Sequence, residues 1–347
     1  MQFKVSVLGH FGEGKLLLNG QTVKTKIVTE ELQRQLGNEQ VLKIDTHGGW
    51  RTLLKAPFQV IKALGKSKNV VIFPAHNGLR VYVPLLAAFR SFYKNRKLHY
   101  AVIGGWLPVF LKDKKSLADS LKKFDGIYVE TNTMKKALDN MGFKNVCVMP
   151  NCKKLTVLSE NELVYPEKTP YKLCTFSRVM REKGIEDAVN AVKKVNSELG
   201  DTAYSLDIYG QVDDGQVEWF DNLKKQFPDF IRYCGCVDAN KSVEILKDYF
   251  LLLFPTRFFT EGIPGTIIDA YAAGIPVISA KWESYADVVD EGVTGIGYEF
   301  ENTKQFEEIL LSIAQNPQSV CDLKLNCINK VNDYIPETAI KVMSRKL

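Results

Sequence analysis

The chain has 347 residues, 45% of them hydrophobic and 25% charged, and a formal net charge of +6. That length is long for one core and comfortable for two domains, and the composition is ordinary for a soluble globular protein. The longest apolar runs, VYVPLLAAF and YFLLLFP, are too short to span a bilayer, and MQFKVSVLGH lacks the apolar core and cleavage site of a signal peptide. Seven cysteines without a C-x-x-C pair fit a reducing cytosol better than a disulfide framework. Cys234 and Cys236 lack partners for zinc and read as strand-end residues.

The first strand-like run, FKVSVLG, enters a glycine-rich stretch in which Gly9 to Lys15 read G-x-x-x-x-G-K. A phosphate-binding P-loop places Ser or Thr next, to hold Mg²⁺. Leu16 stands there, and KLLLNG does not read as the helix that must follow, so the likeness is coincidental. From here β-branched runs alternate with helix-period stretches. FKVSVLG leads to TVKTKIVTEELQRQLG, NVVIFPAH to LRVYVPLLAAFRSFY, HYAVIGG to SLADSLKKF, and DGIYVET to NTMKKALDNMG and then NVCVMPN. The polar, proline-containing LSENELVYPEKTPYK interrupts the rhythm and reads as a linker. The rhythm then restarts at KLCTFSR and continues through GIEDAVNAVKKVNSELG, YSLDIYG and IRYCGCV to FLLLFP, IPGTIIDAYAAG and IPVIS. This predicts two α/β domains with parallel sheets, and ligands in such folds bind outside the carboxyl ends of the strands. The expected division is 1–162, a linker at 163–170, 171–330, and a C-terminal helix over 331–347 that is free to return to the first domain.

Charge is uneven. Between residues 80 and 123, Arg80, Arg90, Lys94, Arg96, Lys97, Lys112, Lys114, Lys115, Lys122 and Lys123 face only Asp113 and Asp119, a local excess of eight positive charges. Such a segment suits an anionic membrane face, an anionic acceptor or nucleic acid; a solvated helix face accounts for it equally well.

The most informative stretch is FPTRFFTEGIPGTIIDAYAAGIPVISA. A buried strand runs into a loop carrying Glu261, with Gly262 and Gly265 allowing close backbone approach and Pro264 suited to a helix start. The open N–H groups of that start favour an anion, and Asp269 sits about two turns beyond Glu261.

The pattern E-G-x-P-x-x-x-x-D-A-x-A-x-G-x-P-V-I resembles the signature of family 4 retaining glycosyltransferases, with Asp269 where that family usually has Glu. FSRVMREKGIEDAVNAV resembles the family's strand-loop-helix bearing Arg and Lys, and VETNTMKKALDNMGFKNVCVMPNCKKL its segment closing the first domain with Pro-Asn. The resemblance is strong from Leu173 to Ile278 and weak before Asp125. It implies a GT-B fold, two Rossmann-like domains with parallel sheets facing a central cleft.

The resemblance also implies roles. Arg178 and Lys183 clamp the donor diphosphate, Glu261 contacts the donor sugar, and the backbone over Gly262, Ile263, Pro264, Gly265 and Thr266 holds phosphate or sugar oxygens. Asp269 accepts from ribose hydroxyls, and Tyr209, Gly210 and Val237 wall the base. Gly20 and Gln21 form a helix entry facing the donor. His76, ending the strand NVVIFPAH, lies beside the donor sugar, with His10 as the competing histidine. Trp106, at the next strand exit, is an acceptor-side platform or a core residue. The expectation is a metal-independent hexosyltransferase with no cofactor, moving a sugar from a nucleotide-diphosphate donor to a saccharide acceptor, lipid-linked, in capsule, O-antigen or related polysaccharide synthesis. It is expected in the cytoplasm, peripheral at the inner membrane face, without a nucleic-acid partner. The alternatives are a nucleotide-sugar epimerase or phosphorylase on the same fold, or a non-catalytic sugar- or nucleic-acid-binding module.

Overall fold

The computed structural model describes residues 2–12, 14 and 20–347, the side chains of Arg51 and Ala239 excepted. Lys15 and Leu16 of the P-loop-like stretch lie outside the described residues. The chain divides into two compact units, 1–154 with 333–347, and 155–332.

The first unit holds strands β1 (Phe3–Gly9), β2 (Val41–Asp45), β3 (Ser67–Ile72), β4 (Lys97–Ala101), β5 (Gly126–Val129) and β6 (Val146–Val148). They form one parallel sheet in the order β2-β1-β3-β4-β5-β6. The second unit holds β7 (Tyr171–Phe176), β8 (Tyr204–Tyr209), β9 (Ile231–Gly235), β10 (Leu251–Phe254), β11 (Val277–Ala280) and β12 (Gly295–Tyr298). Their order is β12-β11-β10-β7-β8-β9, again parallel. Both sheets are covered by helices, which is why their strands read as near-continuous apolar runs rather than alternating ones. Val70, Val71 and Ile72 of β3 are fully buried, as are Leu251 and Leu252 of β10. Each such side chain stabilises the fold by roughly 1.5–3 kcal/mol. Strand order reverses between β1 and β3 in one sheet and between β7 and β10 in the other, and crevices for ligands open at such reversals.

Three expected boundaries differ. The stretch expected as a linker at 163–170 belongs to the second unit. So do residues 155–162, expected in the first domain: Leu158 N donates to Ala272 O at 3.0 Å, and within the linker Leu163 packs over Gly274, where a Cβ would meet Leu163 Cδ2 at 2.2 Å. The helix expected over 331–347 is a 3-10 turn (Val331–Tyr334) and two one-turn helices, Pro336–Ala339 and Lys341–Ser344. Pro336 explains the break, since the residue before a proline is pushed out of helical geometry. Finally, His76 does not end a strand. β3 stops at Ile72, and His76 opens the helix His76–Phe89. Pro74 between them has no N–H to extend the ladder.

Buried polar groups tie the first unit together. Lys24, on the helix Gly20–Leu36, pairs with Glu130 at 2.6 Å, each 2% exposed. Lys24 Nζ also donates to Val102 O at 3.0 Å, and Gly104 N to the same Glu130 oxygen at 3.1 Å. Removing one member of such a pair strands a buried charge and costs about 3–5 kcal/mol. His99 on β4 is fully buried. Its Nδ1 lies 3.1 Å from Tyr128 Oη and its Nε2 3.4 Å from Asn69 Oδ1.

Burial pushes the His99 imidazole down to about 4, against a partial opposing pull from Asp125. The unfolded chain therefore binds a proton that the folded chain refuses between about pH 6.5 and 4, and stability falls as pH drops through that window. Going from pH 7 to pH 5, urea unfolding of the first unit should show a loss of about 2 kcal/mol from this group. His99→Gln should flatten that slope, and an unchanged slope in the variant assigns the acid loss to other groups.

Candidate active site

At the β7–β10 reversal, two loops close on each other. The loop after β7 carries Arg178 and Lys183 and ends at Gly184, which has φ of 68° and begins the helix Ile185–Leu199. A Cβ on Gly184 would lie 1.8 Å from Pro255 O, in the loop after β10, so only glycine permits this approach. Gly210 does the same for the start of the loop. Its φ is +132°, and a Cβ there would lie 1.8 Å from Ser177 O.

This closure brings Lys183 Nζ onto Glu261 Oε1 as an ion pair, each side chain 18% exposed. Thr256 Oγ1 donates to the same oxygen at 3.4 Å. The Lys183 ammonium also stands over the rings of Phe254 and Phe258, at 5.5 and 5.1 Å. Arg178 is held only loosely, 56% exposed and 3.4 Å from Asp213. Exposed pairs of this kind contribute little, so the guanidinium can swing to another anion.

Beyond Glu261, Gly262, Ile263 and Pro264 are buried and lead into the helix Gly265–Ala272, with Pro264 at the N-cap. The first N–H groups of a helix have no partner within it. Thr266 sits in that first turn, and its Oγ1 is buried without a hydrogen-bond partner among the described residues. Asp269, one turn further, is 3% exposed and accepts from Ser242 Oγ at 3.1 Å. A ligand hydroxyl reaching Asp269 therefore shares the carboxylate with Ser242. Tyr209 ends β8 with its hydroxyl 2.8 Å from Tyr249 Oη. Gly210 N donates to Gly235 O at 2.8 Å, and Val237 lies half-buried two residues beyond β9.

Sequence reasoning missed Arg257. Its guanidinium makes a two-pronged bond to Asp187 at 2.8 and 2.7 Å, while its N–H donates to Glu182 O at 2.8 Å. It fastens the Glu261 loop to the helix that follows Lys183. The signal was present, an arginine in PTRFFTEG and an acid in GIEDAV, but pairing across 70 residues has no local signature.

In the first unit, Gly20 opens the helix Gly20–Leu36, and Gln21 Nε2 donates to Phe73 O at 3.2 Å, beside the β1–β3 reversal. The two histidines considered for the site differ. His10 is engaged at both ring nitrogens, with Thr22 Oγ1 at 2.7 Å and His47 Nδ1 at 2.8 Å. Burial, then the neighbouring His47, hold its imidazole below the ordinary value. His76 is exposed, and among the described residues neither ring nitrogen has a hydrogen-bond partner. Its ring stacks on Trp106 with centroids 3.9 Å apart. Partial burial, then Arg80 and Lys114, keep it neutral by lowering its pKa.

The basic segment is not one patch. Arg80 lies near the first turn of the helix His76–Phe89, and Lys112, Lys114 and Lys115 flank the short helix Leu107–Leu111 and open Lys115–Leu121. These sit toward the carboxyl ends of β3 and β4. Arg90, Lys94, Arg96, Lys97, Lys122 and Lys123 lie at the other end, just before or at the starts of β4 and β5. There, Arg90, Tyr93, Lys94, Asn95 and Lys123 line a depression of about 470 Å³. Phe92 protrudes beside it, 80% exposed.

Residues 170–316 match the model of the family described as glycosyl transferases group 1. Among curated proteins, the chain is 30% identical over 163 residues to the UDP-N-acetylglucosamine–peptide N-acetylglucosaminyltransferase GtfA subunit of Streptococcus gordonii, covering 45% of this chain and 30% of that one. It is 22% identical over 174 residues to the amylovoran biosynthesis glycosyltransferase AmsK of Erwinia amylovora, covering 47% of this chain and 40% of that one. The match thus spans well under half the length of either relative. Among solved structures, Anabaena Alr3699/HepE in complex with UDP superposes with a TM-score of 0.74 at 12% identity, covering 99% of both chains. The two sheets follow the two-domain, Rossmann-like GT-B fold, and the stretch similar to glycosyl transferases group 1, residues 170–316, lies within the second unit.

Proposed function

We propose that this protein is a metal-independent, retaining glycosyltransferase that moves a hexose from a nucleotide-diphosphate donor to the hydroxyl of a saccharide acceptor, in the synthesis of a bacterial capsule, O-antigen or related surface polysaccharide. The observation that carries this reading is the meeting of Lys183 and Glu261 at the β7–β10 reversal, beside a helix start whose Thr266 hydroxyl lacks a partner. Two cations, Arg178 and Lys183, and the free N–H groups of the helix start receive a diphosphate and neutralise the charge that grows as it leaves. Glu261 then bonds a donor sugar hydroxyl, and Asp269 with Ser242 takes the ribose. His76, with a neutral ring and free nitrogens, is suited to a sugar hydroxyl. Tyr209, Gly210 and Val237 line the base, and Gly20 and Gln21 the donor side of the first unit. UDP in the HepE complex and UDP-N-acetylglucosamine in the name of the streptococcal relative favour uridine diphosphate as the carrier. The amylovoran enzyme favours a polysaccharide product.

In the same reading the enzyme is cytoplasmic and docks on the inner membrane face to meet a lipid-linked acceptor. Among the described residues no helix is long and apolar enough to cross a membrane. The cluster around Lys94 and Lys123, with Phe92 beside it, supplies cations for anionic lipid and one aromatic for shallow insertion.

Three outcomes follow from this reading. UDP should raise the melting temperature of the chain, because a ligand of the folded state alone stabilises it. Arg178→Ala and Lys183→Ala should each lower kcat/KM for transfer roughly 30- to 1,000-fold, a loss of about 2–4 kcal/mol of transition-state stabilisation, near-normal rates in both removing the diphosphate site. Reversing Lys94 and Lys123 to Glu together with Phe92→Ala should release the chain from phosphatidylglycerol vesicles, each cation supplying on the order of 1 kcal/mol, while UDP binding persists. Co-sedimentation equal to wild type would make that end of the unit a plain solvated face.

A further inference from the structure

At the carboxyl ends of β3 and β4, in the first unit, three aromatic rings and two cations are gathered. The His76 ring lies on the Trp106 indole at 3.9 Å, tilted by 31°. Phe110 meets both edge-on, at 4.9 Å from His76 and 5.2 Å from Trp106. The indole is fixed in plane by its Nε1 donating to Ile103 O at 2.8 Å. Over the Phe110 ring stand the Arg80 guanidinium at 5.2 Å and the Lys114 ammonium at 4.3 Å. Lys114 donates only to Phe110 O, at 2.9 Å, and among the described residues neither cation pairs with a carboxylate.

We propose that this cluster is the acceptor subsite and that the acceptor is an acidic saccharide, one sugar ring resting on Trp106 and its carboxylate or phosphate held between Arg80 and Lys114. The inference rests on the glycosyltransferase reading above and adds the chemical class of the acceptor. An aromatic platform alone suffices for a neutral sugar, whose C–H face packs on the ring. Two unpaired cations on one ring repel each other and gain nothing from a neutral ligand. An anion between them relieves that repulsion and forms charge-assisted bonds at both ends. The His76 ring, neutral beside these cations, does not add to the repulsion. Arg90, Lys94, Arg96, Lys97, Lys122 and Lys123, at the far ends of the strands, do not enter this site.

The test is saturation-transfer NMR on the full chain with UDP in excess, so that phosphate does not compete for the nucleotide site. The probes are methyl β-D-glucuronide, glucose 6-phosphate and methyl β-D-glucoside. At least one acidic probe should bind about ten-fold more tightly than the neutral glucoside, the gain expected of one charge-assisted contact. The glucuronide and phosphate arms show which acid is preferred. The double variant Arg80→Gln/Lys114→Gln should bring all three probes to parity, and Trp106→Ala, with Trp106→Phe as the milder variant, should weaken all three alike. Equal binding of acidic and neutral probes, no detectable binding of any, or a preference that survives the double variant overturns the proposal. So does a double variant that loses phosphatidylglycerol vesicles while the saccharides show no preference, since the cations then serve a lipid headgroup. UDP binding, followed by calorimetry, separates the two readings. Its absence in the wild-type chain strikes the donor site, while the acidic-sugar preference is read on its own.

Discussion

The close approach of Gly184 to the carbonyl of Pro255 is the constraint on which the second unit's chemistry depends. A left-handed residue without a side chain is the only way to bring the loop after β7 down onto the loop after β10, since a Cβ would sit 1.8 Å from a backbone oxygen. These strands are neighbours at the point where the sheet order reverses, so their loops diverge from a shared crevice. Closing that crevice at its base places Lys183 against Glu261, and the two-pronged Arg257–Asp187 bond holds it closed from the other side. The charged pair is therefore a consequence of backbone geometry. Its members come from loops 78 residues apart in sequence.

That geometry also sets the energetics of the site. A partly buried ammonium with no counter-charge is costly, and Glu261 supplies one in the absence of ligand. In the proposed reading a diphosphate, which carries more charge than a single carboxylate, draws on Lys183, the loosely held Arg178 and the helix start together. On that reading it competes with Glu261 for Lys183 and leaves the carboxylate to a hydroxyl. The proposed reading thus gives the ion pair two uses, mutual neutralisation without ligand and separate contacts to the donor with it. Thr266 fits this account, because a buried hydroxyl without a partner is unfavourable until a ligand satisfies it.

Much of this was legible in the sequence, and the reasons for the remainder are physical. The βαβ rhythm is a local signal of period and punctuation, and it yields both parallel sheets. The Glu261–Asp269 stretch is legible because strand, loop, helix start and buried helix follow one another without a break. Pairings across the sheet were not legible. Nothing near Asp269 announces Ser242, nothing near Lys183 announces that its partner is Glu261, and Arg257 gave no sign of Asp187. In the sequence FPAH reads as the continuation of an apolar run and puts His76 at a strand end, whereas Pro74 ends the ladder and the histidine opens a helix. That one-step change gives the ring its exposure.

The basic segment shows most clearly what a linear reading hides. The helix His76–Phe89 has 14 residues, so it carries the chain about 20 Å from one end of the sheet to the other. Charges contiguous in sequence are thereby delivered to opposite ends of the first unit, separated by more than a Debye length at physiological salt. They cannot act as one field. Arg96 and Lys97 are further withdrawn from service, since their side chains donate to the carbonyls of Leu64 and Lys346. What remains is Arg80 and Lys114 on an aromatic cluster, with Lys112 and Lys115 nearby, at the carboxyl ends of the strands, and a second group around Lys94 and Lys123 at the amino ends. Ligand chemistry in parallel sheets belongs to the carboxyl ends. In the proposed reading, recognition of an acidic acceptor and attachment to an anionic surface are therefore two tasks for two clusters, each open to change without the other.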